Sequence, residues 1–273
     1  MGRDAGGRLR GQTVLVTRSH DQAAELVALL ETEGATVRLF PTIEVLPAQD
    51  PRPLEDALRR LDTFRWLVLT SPNGVGAVQQ RLADLGKGAL DLARLRVAAV
   101  GPGTARALRA WGVEPDLVPE RFETAYLAEA LAGQGIEGEA ILVARSPLGS
   151  PELVTRLRAA GARVTEVEAY RVATPREEGG EPPEKVREAL DRGELGWVTL
   201  TSPSTATGLV ERLGGWRKEW SGRARVACIG PVTARRCREL GLPVDVEAPV
   251  SSVRGLVDAM ARAASMGKGG ENG

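Results

Sequence analysis

The sequence predicts an α/β protein with two similar halves, each a parallel sheet covered by helices on both faces. Three observations carry that expectation. Short apolar runs alternate with stretches of helical spacing along most of the chain. The run Leu67 to Val78, LVLTSPNGVGAV, is written again at Val198 to Val210 as VTLTSPSTATGLV. Other landmarks recur at nearly the same offset: Arg145 lies 127 residues after Arg18, Gly161 lies 127 after Gly34, Gly230 lies 129 after Gly101, and Ser202 lies 131 after Ser71. A copy of about 120 residues recurring at these offsets is too long for a solenoid and suits a duplicated unit.

Each element follows from its own residues. TVLVT at 13 to 17 reads as a buried strand, Asp21 to Leu30 as a helix closed by Gly34, and VRLFPTIEV as a further extended segment. The second copy repeats this plan at 140 to 172 as AILVARS, PELVTRLRAAG and ARVTEVEAYRV. At each Thr-Ser-Pro turn, Ser71 or Ser202 suits a helix cap and Pro72 or Pro203 suits the first helical position, where no N–H is needed. A third unit, RVAAVGPGTARALRAWGVEPDLVPE at 96 to 120, matches RVACIGPVTARRCRELGLPVDVEAP at 225 to 249. Each predicts a strand, a Gly-Pro-x-Thr-Ala turn, a helix ended by Gly112 or Gly241, a further strand, and a last helix after Glu123-Thr124 or Ser251-Ser252.

Two domain divisions fit this repeat. A split near residue 135 separates the copies. Alternatively, the extended segments Val37 to Leu46 and Val164 to Ala173 are linkers that pair as an antiparallel ribbon while the chain crosses twice, so that residues 1–42 with 173–263 form one domain and 43–172 the other. Residues 174 to 184, TPREEGGEPPE, are expected to be an exposed loop, and 264–273, Gly-rich after Met266, a disordered tail.

Composition sets outer limits. With 42% hydrophobic and 26% charged residues the chain has globular composition, and its 36 basic and 36 acidic residues give no overall field for nucleic acid or an anionic membrane. No apolar run approaches the roughly 18 residues that span a bilayer. A cytoplasmic location is expected, since the start MGRDAGGRLRG does not read as a secretion signal. Cys228 and Cys237 read as buried reduced thiols without metal-ligand spacing. Neither GxGxxG after the first strand nor GxxxxGK[ST] occurs, so neither a dinucleotide nor a nucleoside triphosphate is indicated. The sole histidine, His20, cannot build a Ser-His-Asp or metal cluster.

Ligands of open parallel sheets bind beyond the carboxyl ends of strands. Six turns fall there: Arg18-Ser19, Ser71-Pro72-Asn73, Gly101-Pro102-Gly103-Thr104, Arg145-Ser146, Ser202-Pro203-Ser204-Thr205 and Gly230-Pro231-Val232-Thr233. Together they offer backbone N–H groups and hydroxyls at positive helix ends to a large polyanion in a cleft between the domains. Tyr170, one of two tyrosines, lies on the second linker beside that cleft, whereas Tyr126 is expected to pack in a helix. Glu44, Glu166 and Glu168 also lie on the linkers, with no pair that alternation defines.

With LTSPNGV and LTSPST, VAAVGPGTARAL and VACIGPVTARRC, and VEAYRV around Tyr170, the chain resembles the uroporphyrinogen-III synthase family over about residues 12 to 262. The resemblance implies two flavodoxin/Rossmann-like α/β/α domains joined by a two-stranded β-ladder linker, which supports the exchanged division. It implies a cofactor-free hydro-lyase that cyclises hydroxymethylbilane, a linear tetrapyrrole with eight carboxylates, to uroporphyrinogen III. Ring D is inverted through a spiro intermediate. Nothing in the residues constrains oligomeric state, so a monomer is the default expectation, with handover of substrate from hydroxymethylbilane synthase as a further one. By similarity, carboxylate contacts fall to Ser71, Gly101, Gly103, Thr104, Ser202, Ser204, Thr205 and Thr233, with Arg18 and Arg145 as charged partners. Tyr170 assists departure of the hydroxyl. Asn73 stands where some relatives carry a basic residue. Residues alone also admit a non-enzymatic two-domain binder of a small anion, or another α/β enzyme acting on phosphorylated metabolites.

Overall fold

The structure is a computed structural model that describes residues 7–175 and 180–267. The first copy runs β1 (Thr13–Val16), α1 (His20–Thr32), β2 (Thr36–Leu39), β3 (Glu44–Pro47), α2 (Arg52–Arg59), β4 (Trp66–Leu69), α3 (Pro72–Asp84), β5 (Arg96–Ala99), α4 (Pro102–Ala110) and α5 (Thr124–Ala132). The second runs β6 (Ala140–Arg145), α6 (Glu152–Ala159), β7 (Arg163–Glu168), β8 (Tyr170–Ala173), α7 (Pro183–Asp191), β9 (Trp197–Leu200), α8 (Pro203–Leu213), β10 (Arg225–Cys228), α9 (Pro231–Glu239), β11 (Val246–Glu247) and α10 (Val253–Gly267). These elements gather into two compact units. Unit 1 takes the residues up to Glu44 together with those from Ala173 on, and unit 2 is Val45–Val172.

Each unit holds a parallel sheet. In unit 1 the order is β11-β10-β9-β1-β2, and in unit 2 it is β5-β4-β6-β7. Taken in its own chain order, the unit 1 sheet is a 2-1-3-4-5 arrangement, whose direction reverses between β1 and β9. In unit 2 the corresponding strands β6, β7, β4 and β5 occupy the same spatial places. Its chain, however, passes through β4 and β5 before β6 and β7. The reversal there falls between β6 and β4.

Strand alternation sends side chains to both faces, and each face has its own core. In unit 1, Leu15, Val198, Leu200 and Val226 pack with residues of α7, α8 and α9, while Val14, Val16, Trp197 and Ala227 pack with α1 and α10. In unit 2, Leu67, Leu69, Val97 and Leu142 face α2, α3 and α4, while Trp66, Val68, Ile141 and Val143 face α5 and α6. Each buried Leu or Val contributes about 1.5–3 kcal/mol, so these four layers supply the main driving force of the fold. The likeness reaches single bonds. Asp116 accepts the Val97 N–H at 2.7 Å in unit 2, and Asp245 accepts the Val226 N–H at 2.7 Å in unit 1.

Four expectations are modified. Neither long extended segment is one strand. After β2, the Phe40 and Thr42 N–H groups still bond to the Val16 and Thr17 carbonyls, but Pro41 has no donor and pairing stops before β3. After β7, the Ala169 N–H bonds to the Arg145 carbonyl, and β8 begins beyond it. The halves β3 and β8 form a separate two-stranded sheet where the chain passes between units. The strand expected after α4 shrinks to a single bridge, Ala98 to Leu117, and its counterpart to the two residues of β11. In both, an aspartate side chain has taken a strand N–H that a longer ladder would use.

The loop expected at 174 to 184 gives way to α7 at Pro183, after Glu181 has paired with Arg38. Residues 176–179 lie outside the described residues. Helix α10 runs through Gly267, four residues into the stretch expected as a tail, and the remainder lies outside the described residues. Among the described residues no helix is long and apolar enough to cross a membrane.

Candidate functional site

Four helices start at the carboxyl ends of strands with proline at the first position, and they form two pairs. Helices α3 and α8 are capped by serine: Gly74 N–H donates to Ser71 Oγ at 3.0 Å, and Thr205 N–H donates to Ser202 Oγ at 3.1 Å. Such a cap stabilises by about 1 kcal/mol and fixes the hydroxyl at the strand end. Helices α4 and α9 start instead at Gly101 and Gly230, which have no side chain to cap with. Among the described residues, the N–H groups of Gly103, Thr104, Val232 and Thr233 have no hydrogen-bond partner. Two unpartnered donors at each positive helix end are suited to a carboxylate. Thr104 and Thr233 are buried, whereas Gly103 is half-buried and Val232 exposed.

The serine-capped turns differ in what they hold. In unit 2, Tyr170 at the start of β8 brings its hydroxyl to 2.8 Å from Ser71 Oγ and also hydrogen-bonds the Asn73 side chain. Tyr170 is 8% exposed. Burial pushes its phenol above the ordinary tyrosine value, while the bonds to Ser71 and Asn73 oppose that rise. Either hydroxyl of the Ser71–Tyr170 pair can be the donor, so the phenol proton can turn toward Ser71 or toward a ligand. In unit 1, Ser202 Oγ meets Ser204 Oγ at 2.9 Å, and the buried Thr205 hydroxyl donates to the Ser202 carbonyl at 2.7 Å. Thr205 is thereby committed to the turn itself, while Ser204 stands at the second helical position.

The two arginines that follow β1 and end β6 have opposite surroundings. Arg145, 5% exposed, lies 2.6 Å from Glu166 and donates to the Ser150 carbonyl at 2.5 Å, clamping the Ser146–Ser150 loop. Arg18 reaches only Gln22 Oε1, at 3.3 Å, and its buried Nε has no hydrogen-bond partner among the described residues. Burial lowers its affinity for the proton, and Glu25 offsets this in part. A guanidinium with an unused buried donor is suited to an incoming anion.

Sequence reasoning missed the braces behind this site. Thr17 Oγ1 donates to the Thr199 carbonyl at 2.7 Å, Thr199 Oγ1 to the Leu15 carbonyl at 3.1 Å, and Thr42 Oγ1 to the Thr205 carbonyl at 2.9 Å. They tie β1, β9 and α8 together where the unit 1 sheet reverses. Gly208 completes the brace, because a Cβ there would lie 2.2 Å from the Thr42 carbonyl oxygen. A glycine in mid-helix was the available signal.

Residues 24–258 match the family described as uroporphyrinogen-III synthase HemD. The chain belongs to the uroporphyrinogen-III synthase family. It is 35% identical to the uroporphyrinogen-III synthase of Synechococcus elongatus over 255 residues, which cover 91% of this chain and 94% of that one. It is also 35% identical to a putative uroporphyrinogen-III synthase of Methanothermobacter thermautotrophicus over 231 residues, covering 83% and 89%. Among solved structures, a mutant uroporphyrinogen III synthase from Thermus thermophilus shares the fold, with a TM-score of 0.64 at 21% identity and coverage of 94% and 100%.

Proposed function

We propose that this chain is a cofactor-free hydro-lyase that cyclises hydroxymethylbilane to uroporphyrinogen III and water. The observation that carries the reading is the Tyr170 hydroxyl held 2.8 Å from Ser71 at a strand-end turn, in a chain of this family. The substrate's carboxylates are taken up by the unpartnered N–H groups of α4 and α9, by Arg18, and by the Ser71, Ser202 and Ser204 hydroxyls. Burial keeps Tyr170 protonated, so it donates to the departing hydroxyl as water forms. The resulting azafulvene attacks the substituted carbon of ring D to give a spiro intermediate. Fragmentation and reclosure leave that ring inverted. Because the free substrate closes unaided to the unrearranged isomer, the main contribution is to hold a flexible chain in one curled geometry. On this reading the chain works as a monomer in the cytoplasm, with substrate handed over by hydroxymethylbilane synthase.

The test is to generate hydroxymethylbilane in situ with hydroxymethylbilane synthase, add this protein, and resolve the isomers. Type III product is expected. Type I alone would overturn the assignment and leave a non-enzymatic anion binder as the surviving reading.

A further inference from the structure

Phe122 has no part in the chemistry described so far. The chain has three phenylalanines; Phe40 and Phe64 are buried in the cores, whereas Phe122 is 43% exposed. A single exposed apolar residue is ordinary in a soluble protein. The position of this one is not ordinary. A Cβ on Gly101 would lie 3.0 Å from Phe122 Cβ, 3.3 Å from Cγ and 3.5 Å from Cδ1, so the ring rests against the backbone of the residue that starts α4. Gly101 is two residues before the unpartnered Gly103 and Thr104 donors. Its φ of −173° is open to any residue, so the glycine is required by the close approach of the aromatic side chain.

The segment that carries Phe122 has local contacts of its own. Arg121 hydrogen-bonds the Tyr126 hydroxyl and lies over its ring at 4.4 Å, and the Glu123 N–H donates to the Arg121 carbonyl at 2.9 Å. The aromatic is also particular to one unit. At the equivalent turn of unit 1, the group facing Gly230 is Ser251, whose Oγ would lie 2.4 Å from a Cβ there. Both the pre-set aromatic and Tyr170 thus belong to unit 2.

We propose that Phe122 is the stacking platform for one pyrrole ring of the substrate, and that this ring's carboxylate arm occupies the Gly103 and Thr104 N–H groups. The proposal rests on the tetrapyrrole reading given above. A pyrrole has an apolar face and carries its carboxylates on short arms, so a ring laid on Phe122 extends an arm toward the adjacent helix start. Stacking on a fixed ring orients the pyrrole about its own plane, which N–H contacts to a flexible arm do not. Phe122 is therefore a positioning residue that favours the curled substrate and supplies no proton.

The experiment compares wild type with Phe122→Tyr, Phe122→Leu and Phe122→Ala. Steady-state constants and the type III fraction are measured on hydroxymethylbilane formed in situ, with melting temperature and binding of uroporphyrin III by fluorescence quenching measured alongside. Phe122→Ala should raise KM about 10-fold, weaken uroporphyrin binding similarly and lower the type III fraction, with kcat within about 2-fold and an unchanged melting temperature. Phe122→Tyr should match wild type, and Phe122→Leu should fall between. Competition by citrate, which has carboxylates but no ring, should be the same in all four proteins. Equal KM and equal porphyrin binding across the series would overturn the proposal. So would Phe122→Leu equal to wild type, or losses that track melting temperature. Failure of the underlying reading is seen separately, as type I product alone from wild type, and the porphyrin titration then still decides whether Phe122 stacks on a ring.

Discussion

Arg18 and Arg145 sit at the same place in the repeated sequence and in entirely different company. Arg145 is enclosed by Glu166 and the Ser150 carbonyl and braces a loop, whereas Arg18 follows a strand at a sheet reversal with a buried Nε that bonds to nothing among the described residues. The serine turns are divided in a similar way, since Ser71 Oγ meets the Tyr170 hydroxyl in unit 2 and Ser202 Oγ meets the Ser204 and Thr205 hydroxyls in unit 1. The repeat supplies two similar scaffolds. Their neighbours differ: unit 2 holds the candidate proton donor and a loop clamp, and unit 1 holds a guanidinium whose buried Nε has no hydrogen-bond partner among the described residues.

Substitution should separate the two arginines, and the larger effect belongs to the clamp. Arg145→Met leaves Glu166 and the Ser150 carbonyl without their partner and is expected to lower the unfolding free energy by about 3 kcal/mol, read from urea denaturation. A change below about 0.5 kcal/mol would show that the pair is ornamental. Arg18→Met removes a buried donor that no described residue satisfies, so stability should hold or rise while KM increases about 30-fold, which corresponds to about 2 kcal/mol for one charged hydrogen bond. Equal KM with lower stability would reverse the roles assigned to the two residues.

A smaller effect distinguishes the serine turns. Tyr170→Phe should lower kcat about 10-fold without abolishing turnover, because hydroxyl loss from this substrate is intrinsically easy and the tyrosine only assists it. An unchanged rate of type III formation would remove Tyr170 from the chemistry. The smallest effect lies in the alkaline titration. Burial raises the Tyr170 phenol above its ordinary value. On raising the pH past 10, the unfolded chain ionises this residue first, so its contribution to stability is intact at lower pH and is lost as pH rises toward the folded-state value. Ultraviolet difference titration of the folded protein should show a tyrosine that ionises later than a free phenol, and that step should vanish in Tyr170→Phe.

Much of this was legible in the residues. Proline at the first helical position, serine or glycine before it, and a charge-free run ahead of both are local signals, and all four strand-end turns at residues 71, 101, 202 and 230 are found with those caps. The residues after α4 are apolar enough for a strand, yet they form a single bridge. Only the fold shows that Asp116 reaches back to the Val97 N–H and replaces a ladder bond. The role of Phe122 is hidden from the sequence for a related reason. In the sequence it is one aromatic in a polar turn, and its significance arises from the Gly101 backbone that it covers, 21 residues earlier.

By itself the sequence determined the strands, the helix starts and the doubling, because these depend on side-chain periodicity and on conformational preferences of neighbouring residues. It also determined that donors would gather at strand ends, since a capped or uncapped first turn is a local property. Strand order, the splitting of each long extended segment at Pro41 or Ala169, and the partners of each charge were decided in three dimensions. Burial, ion pairing and close approach join residues far apart in the chain, so Arg18 and Arg145 could share a sequence position and still receive opposite electrostatic surroundings.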